Sequence, residues 1–221
     1  MLEHLYFPHD ISTFGPQIDL LFEVIFWIVM VTWIAVTIAM ATFLVRYRHR
    51  PGRKATYIEG NPRLEIIWTT ATAIIMIVLA LASRSTWADI KEHGPPGDVF
   101  YKVSAKQFNW EITYPGPDGR LGTADDVTVE NDFHVPVNKV VRLELTSKDV
   151  IHSFYVPNMR LRQDAVPGRV INVWFQATEV GQYEIPCSQL CGFGHSGMKG
   201  MLYVQSQEDY DKWLKDAYSN K

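Results

Sequence analysis

The chain has 221 residues, 47% of them apolar, and a formal net charge of -3. That length holds one or two domains, and no basic stripe is interleaved with aromatics, which excludes the profile of a nucleic-acid-binding protein. The apolar residues are unevenly spread: residues 20–82 carry most of the aliphatic side chains, and the rest reads as ordinary soluble protein.

Two stretches are long and apolar enough to cross a bilayer, which takes roughly 20 residues of helix. Val24 to Val45 is apolar apart from threonines, and Leu64 to Ala82 is broken only by Glu65 and a few threonines. A buried core hairpin is the alternative, and the combined length and apolarity disfavour it. A cleaved secretory signal fits poorly, because Met1–Leu20 has no Lys or Arg to form a basic leading region. Between the stretches lie Arg46, Arg48, Arg50, Arg53, Lys54 and Arg63, opposed only by Glu59. The positive-inside rule puts that loop in the cytoplasm and both termini on the periplasmic side of a bacterial inner membrane. The sole cysteines, Cys187 and Cys191, then face an oxidising compartment, where a disulfide is the default expectation.

Residues 1–19 read as an N-terminal periplasmic segment and 20–85 as a transmembrane helical hairpin. Residues 86–98, ending in Gly-Pro-Pro-Gly, read as a linker. From residue 99 to 221 the pattern changes to short alternating runs separated by turn residues. Strands are expected at Val99–Ser104, Trp110–Tyr114, Val127–His134, Val140–Thr146, Arg169–Gln176, Gln182–Ile185 and Met201–Gln205, with a closing helix at Glu208–Tyr218. Many short strands without intervening helices mean a sandwich or barrel. The Gly- and Asp-rich run 116–126 does not match EF-hand spacing and reads as a long hairpin turn.

The chemistry concentrates in Cys187-Ser-Gln-Leu-Cys191-Gly-Phe-Gly-His195-Ser-Gly-Met198, directly after an expected strand. Two thiols, an imidazole and a thioether within twelve residues favour a soft transition metal, and the thioether favours copper over zinc. A further strong ligand must come from elsewhere, and His152, in Asp149-Val-Ile-His152-Ser-Phe, is the nearest upstream histidine at an expected strand end. His134, in Phe-His-Val-Pro, reads as structural.

These residues resemble the dinuclear copper (CuA) signature of cytochrome c oxidase subunit II, and the resemblance covers nearly the whole chain. It includes the two helices, Glu65-x2-Trp68-Thr69, the His152 segment, Asp164-Ala-Val-Pro-Gly-Arg169 and the Cys187–Met198 loop. It implies a two-helix transmembrane hairpin plus an all-β cupredoxin-like Greek-key sandwich. It further implies two coppers bridged by Cys187 and Cys191, each with one histidine, His152 or His195, with Met198 and the Gln189 carbonyl as weak outer ligands. The function implied is acceptance of electrons from a c-type cytochrome or similar donor. They would pass to the haem of subunit I, where O2 is reduced to water with proton translocation, other oxidase subunits completing the complex.

By the same resemblance, electrons would enter near Phe108 or Trp110, in Gln107-Phe108-Asn-Trp110, with Phe108 standing where the family carries tryptophan. Glu65 would lie at the mouth of a proton-uptake path. The family's magnesium-binding Glu is replaced by Gln189, and an amide is a poorer ligand for a hard cation, which weakens the case for magnesium. No Cys-x-x-Cys-His occurs, so a fused haem c domain is not expected. Residues 86–221 carry 14 basic and 18 acidic side chains, a mild excess that could steer a basic donor, with Asp118, Asp125, Asp126, Glu130 and Asp132 crowded together. Two other readings stay open: the copper subunit of a nitric-oxide reductase, and a membrane-anchored copper-binding or delivery protein.

Overall fold

The computed structural model describes residues 7–92 and 94–219. The chain divides into two compact units, residues 19–88 on one side and the remaining residues on the other.

The first unit is built from two long helices, α1 (Gly15–Arg46) and α2 (Pro62–Lys91). At about 1.5 Å per residue they run about 48 and 45 Å, beyond the ~30 Å of a hydrocarbon core. The chain buries no side chain of α2, although the helix is apolar around its circumference. A core helix of a soluble protein would be covered; one left bare all round belongs in lipid. The hydroxyls of Thr32, Thr42 and Thr72 donate to the carbonyls four residues back at 2.8 Å, so they cross the apolar zone satisfied. The Asn61 side chain accepts from the N–H of Arg63 and Leu64 and starts α2. Helix α2 overruns its expected end and takes in the first half of the expected linker. Nothing breaks it before Gly94-Pro95, and the Trp174 indole donates to the Ile90 carbonyl at 2.6 Å.

The second unit is a β-sandwich. One sheet has five strands in the order β3 (Val127–Glu130), β2 (Asn109–Tyr114), β1 (Val99–Lys106), β5 (Val140–Ser147) and β8 (Ile171–Gln176). Facing it lie β4 (Asp132–Pro136), β10 (Lys199–Gln205) and β9 (Gly181–Pro186), with the pair β6 (His152–Val156) and β7 (Leu161–Ala165) joined by a bridge between Phe154 and Cys187. The pairs β1/β5 and β4/β10 are parallel among otherwise antiparallel neighbours. They mark where the chain crosses from sheet to sheet, as the expected Greek-key sandwich requires. Trp110, Tyr101, Tyr114, Phe133, Phe154 and Phe175 fill the space between the sheets with no exposed surface to speak of. Helix α3 (Gln207–Ser219) closes the unit.

Three further features depart from the sequence reading. The expected strand Val127–His134 is two strands, broken at Asn131, whose φ of 62° turns the chain from one sheet into the other. Strands β6 and β7 were not expected. Residues of the N-terminal segment belong to the sandwich: Ile11 and Phe14 are buried in its core, and Ser12 bridges Ala177.

Candidate metal centre

The end of the sandwich at which β6 starts and β9 ends gathers the sulfur and imidazole donors. His152 is the first residue of β6 and is fully buried. Cys187 follows β9 directly, and the bridge from Phe154 to Cys187 holds these two strand ends side by side. The loop then runs through Cys191 to a short 3-10 turn, His195–Gly197, and returns at Met198 into β10. The N–H of Cys187 donates to the Met198 carbonyl at 3.0 Å, which closes the loop at its base. The N–H of Ser188 donates to the Ser153 carbonyl at 3.0 Å, and the Arg162 guanidinium donates to the Ser188 carbonyl at 3.1 Å.

The donor atoms converge. The two thiol sulfurs lie 3.9 Å apart, the His152 Nδ1 is 3.9 Å from Cys187 Sγ, and the His195 Nδ1 is 3.6 Å from Cys191 Sγ. The Met198 sulfur lies 3.8 Å from Cys191 Sγ, and the Gln189 carbonyl oxygen lies 3.3 Å from Cys187 Sγ. Donor atoms of His152, Cys187 and Cys191 fall within 4.8 Å of one another. Both cysteines are free, so the disulfide suggested by compartment alone does not form here. A disulfide would bring the sulfurs to about 2 Å, and the loop instead keeps them apart at a separation that a shared metal could span.

The imidazole of His152 is held for ligation. Its Nε2 bonds the Asp149 carboxylate at 2.8 Å, which leaves Nδ1, on the cysteine side, with a free lone pair. Burial pushes the Asp149 carboxyl up, but bonds from His152 and from the N–H groups of Gln107 and Val150 outweigh it and hold the group at about 2. Burial pushes the Cys191 thiol up to about 11, and the adjoining Cys187 adds to the shift. A metal held by this sulfur would have to displace its proton. Soft sulfur with imidazole suits copper, and the donor set fits that metal.

The other residues singled out by sequence fall in different places. Phe108 lies in the β1–β2 turn, partly exposed, with its ring against the ligand loop: a Cβ on Gly194 would meet it at 2.5 Å. Trp110 is fully buried and faces His152 edge-on, ring centroids 6.1 Å apart. Glu65 is in the first turn of α2 and exposed. His134 is stacked between Tyr203 and Trp213, its Nδ1 3.0 Å from Gln205 Oε1, and acts as a packing residue. Carboxylates of the 116–126 hairpin largely serve their own turn: Asp126 accepts from the N–H of Gly122 at 2.7 Å, and Asp125 accepts from the Thr123 hydroxyl at 2.6 Å. Glu130 pairs with Lys106 at 2.8 Å. Sequence reasoning missed Asp149 as the partner of His152, although it lies in the motif that located the histidine.

Known proteins agree with this architecture along the chain. Residues 2–85 match the family model for the cytochrome c oxidase subunit II transmembrane domain, and residues 104–205 match that for its periplasmic domain. The alternative cytochrome c oxidase subunit 2 of Bradyrhizobium diazoefficiens is 31% identical, over 97% of this chain and 86% of its own length. The cytochrome c oxidase subunit 2 of Thermostichus vulcanus is 30% identical, over 96% of this chain and 78% of its own. Among solved structures, the periplasmic domain of subunit II of the Bradyrhizobium japonicum oxidase superposes with a TM-score of 0.52 at 30% identity, covering 57% of this chain and 97% of that one. With two bare apolar helices, a sandwich of this topology and relatives spanning nearly its full length, the chain belongs to the cytochrome c oxidase subunit II family, the subunit through which electrons enter a terminal oxidase.

Proposed function

We propose that the loop 187–198 and His152 hold a dinuclear copper centre. Cys187 and Cys191 would bridge the metals, His152 and His195 would each complete one of them, and Met198 and the Gln189 carbonyl would be weaker donors. The observation that carries this reading is the pair of free, buried thiols 3.9 Å apart, flanked by one imidazole each. When bound, such a centre supplies one-electron storage shared over two metals. The chain's part is to keep the ligands still. Cys187, at the β9 end, is hydrogen-bonded to the Met198 carbonyl, the Cys191 carbonyl is held by Gln107, His152 is tied to Asp149, and Met198 is buried. A frame that does not move on reduction suits electron transfer.

In this reading electrons arrive from a c-type cytochrome or similar donor over Phe108, the exposed aromatic of the β1–β2 turn that lies against the ligand loop, with Trp110 as buried support beside His152. They leave for the haem of subunit I, where O2 reduction is coupled to proton translocation, and Glu65 at the start of α2 marks a proton-path entrance. Gln189 offers a hard divalent cation only an uncharged amide, so the proposed centre is copper alone. The sandwich and both termini lie in the periplasm and the basic α1–α2 loop in the cytoplasm. Burial of Ile11 and Phe14 in the sandwich supports this, since it ties the start of α1 to the soluble domain.

The test is copper counting with absorption and EPR spectra on the full-length chain, loaded with copper in detergent. Two coppers per chain with one unpaired electron shared over both is the expected result. One copper with a single-ion spectrum would overturn it in favour of a copper carrier.

A further inference from the structure

Two separate segments supply the metal donors, the 149–152 turn and the 187–198 loop, and one residue of the β1–β2 turn grips both. The backbone N–H of Gln107 donates to Asp149 Oδ2 at 2.6 Å, while Oδ1 of the same carboxylate holds His152 Nε2 at 2.8 Å. The side-chain Nε2 of Gln107 donates to the Cys191 carbonyl at 2.7 Å. A single residue is thus two hydrogen bonds from the His152 imidazole and one residue's backbone from the Cys191 sulfur.

The surroundings are shaped for this contact. Gly192, at φ 137°, follows Cys191, and a Cβ there would sit 2.7 Å from Gln107 Nε2 and 3.2 Å from the Phe108 ring. The Phe108 ring also lies over Gly194. The turn therefore needs the bare backbone of this loop to come so close. Another tie, Ser188 N–H to the Ser153 carbonyl, joins the strands that carry the segments. Gln107 reaches both segments from an exposed position in a separate turn.

We propose that Gln107 is a positioning residue that fixes the distance between His152 and Cys191 across the metal pair, and so sets the rate of copper loss and the reduction potential of the centre. This rests on the dinuclear copper reading above. The amide contributes the side-chain donor, and only the main chain contributes the Asp149 bond. The two halves of the clamp can therefore be separated by substitution.

Gln107→Met keeps length and the main-chain bond but removes the donor. Gln107→Glu keeps shape and sets a carboxylate against the Cys191 carbonyl. In full-length, copper-loaded chain both should release copper to a chelator 10- to 100-fold faster, the range expected when a partner of a metal ligand is lost. Both should also shift the reduction potential and the copper hyperfine pattern, Glu more than Met, while the melting temperature of the copper-free chain stays at the wild-type value. Unchanged release, potential and spectrum in both variants would overturn the proposal. So would a fall in the copper-free melting temperature large enough to account for the faster release, since Gln107 would then be a folding residue. The wild-type spectrum recorded alongside tests the dinuclear reading, and the difference between variant and wild type tests Gln107, so either can fail alone.

Discussion

Met198 and His134 show how two side chains that look alike in the sequence, each a single soft or basic group on a strand margin, are put to different use. Met198 is buried with its sulfur 3.8 Å from Cys191 Sγ. Met198→Leu conserves volume, so packing should cost less than about 1.5 kcal/mol. The thioether is lost, and with it the weak donor that Met198 would offer the proposed centre. The expected outcome is a chain that melts near the wild-type temperature and still binds copper, with a shifted reduction potential by redox titration. His134 instead lies between two aromatic rings, where burial pushes its pKa down while the Gln205 bond and the Asp132 charge pull part of the way back. Its folded pKa is below the unfolded value of about 6.5. Below that pH the unfolded chain takes up a proton that the folded chain refuses, so stability is full above about 6.5 and falls as the pH drops. The melting temperature of copper-free chain should decline between pH 7 and 5.5, and His134→Phe, which keeps the stack, should flatten the decline.

Asn131 decides the architecture at the scale of elements. Its Oδ1 accepts from the Trp110 N–H at 2.9 Å, its own N–H donates to the Trp110 carbonyl at 2.8 Å, and its carbonyl accepts from the Met201 N–H at 2.7 Å. One left-handed residue therefore ties β2 in one sheet to β10 in the other and lets β3 become β4. Asn131→Ala adds strain at positive φ, about 1–2 kcal/mol, and leaves the Trp110 N–H without its acceptor, about 1–3 kcal/mol. Asn131→Asp keeps the acceptor and tolerates the conformation. Thermal unfolding of the two variants should show a clear loss for Ala and a much smaller one for Asp. The same corner explains a limit of the sequence: Val127, Val129 and Phe133 share one face of a single expected strand, and only the short polar run Glu130-Asn131-Asp132 marks the change of sheet. Alternation was readable where one face is buried, as in β2 and β10. It fails in β6, buried on nearly every residue, and in β7, whose Leu-Arg-Gln-Asp-Ala becomes a strand only because β6 lies beside it. Four donors within twelve residues made the ligand loop legible. Asp149 and Gln107 were not, because they bind ligands rather than metal and no spacing rule encodes that.

For the molecule as a whole, the stability of the sandwich depends on residues that precede the first membrane helix. Ile11 is fully buried, its N–H donates to the Asn158 carbonyl at 2.8 Å, and its carbonyl accepts from the Thr178 N–H and hydroxyl at 2.8 and 3.0 Å. Arg160 donates to the Pro8 carbonyl at 2.9 Å, and Asn158 donates to the His9 carbonyl at 2.9 Å. A short segment with no apolar periodicity gives no local sign of this, because its partners lie more than 140 positions away. It means that the soluble domain is not the C-terminal part alone. Ile11→Ala should remove about 2–5 kcal/mol, the range for a large-to-small change in a packed core. A chain starting near residue 98, which lacks Ile11, Phe14 and their main-chain bonds, should be less stable still. Melting of the sandwich, followed by tryptophan fluorescence in the copper-free state, orders the three proteins: full chain highest, Ile11→Ala lower, the isolated domain lowest. If the isolated domain instead melts with the full chain, the N-terminal segment rests on the sandwich without supporting it, and both termini lose one physical reason for sharing a side of the membrane.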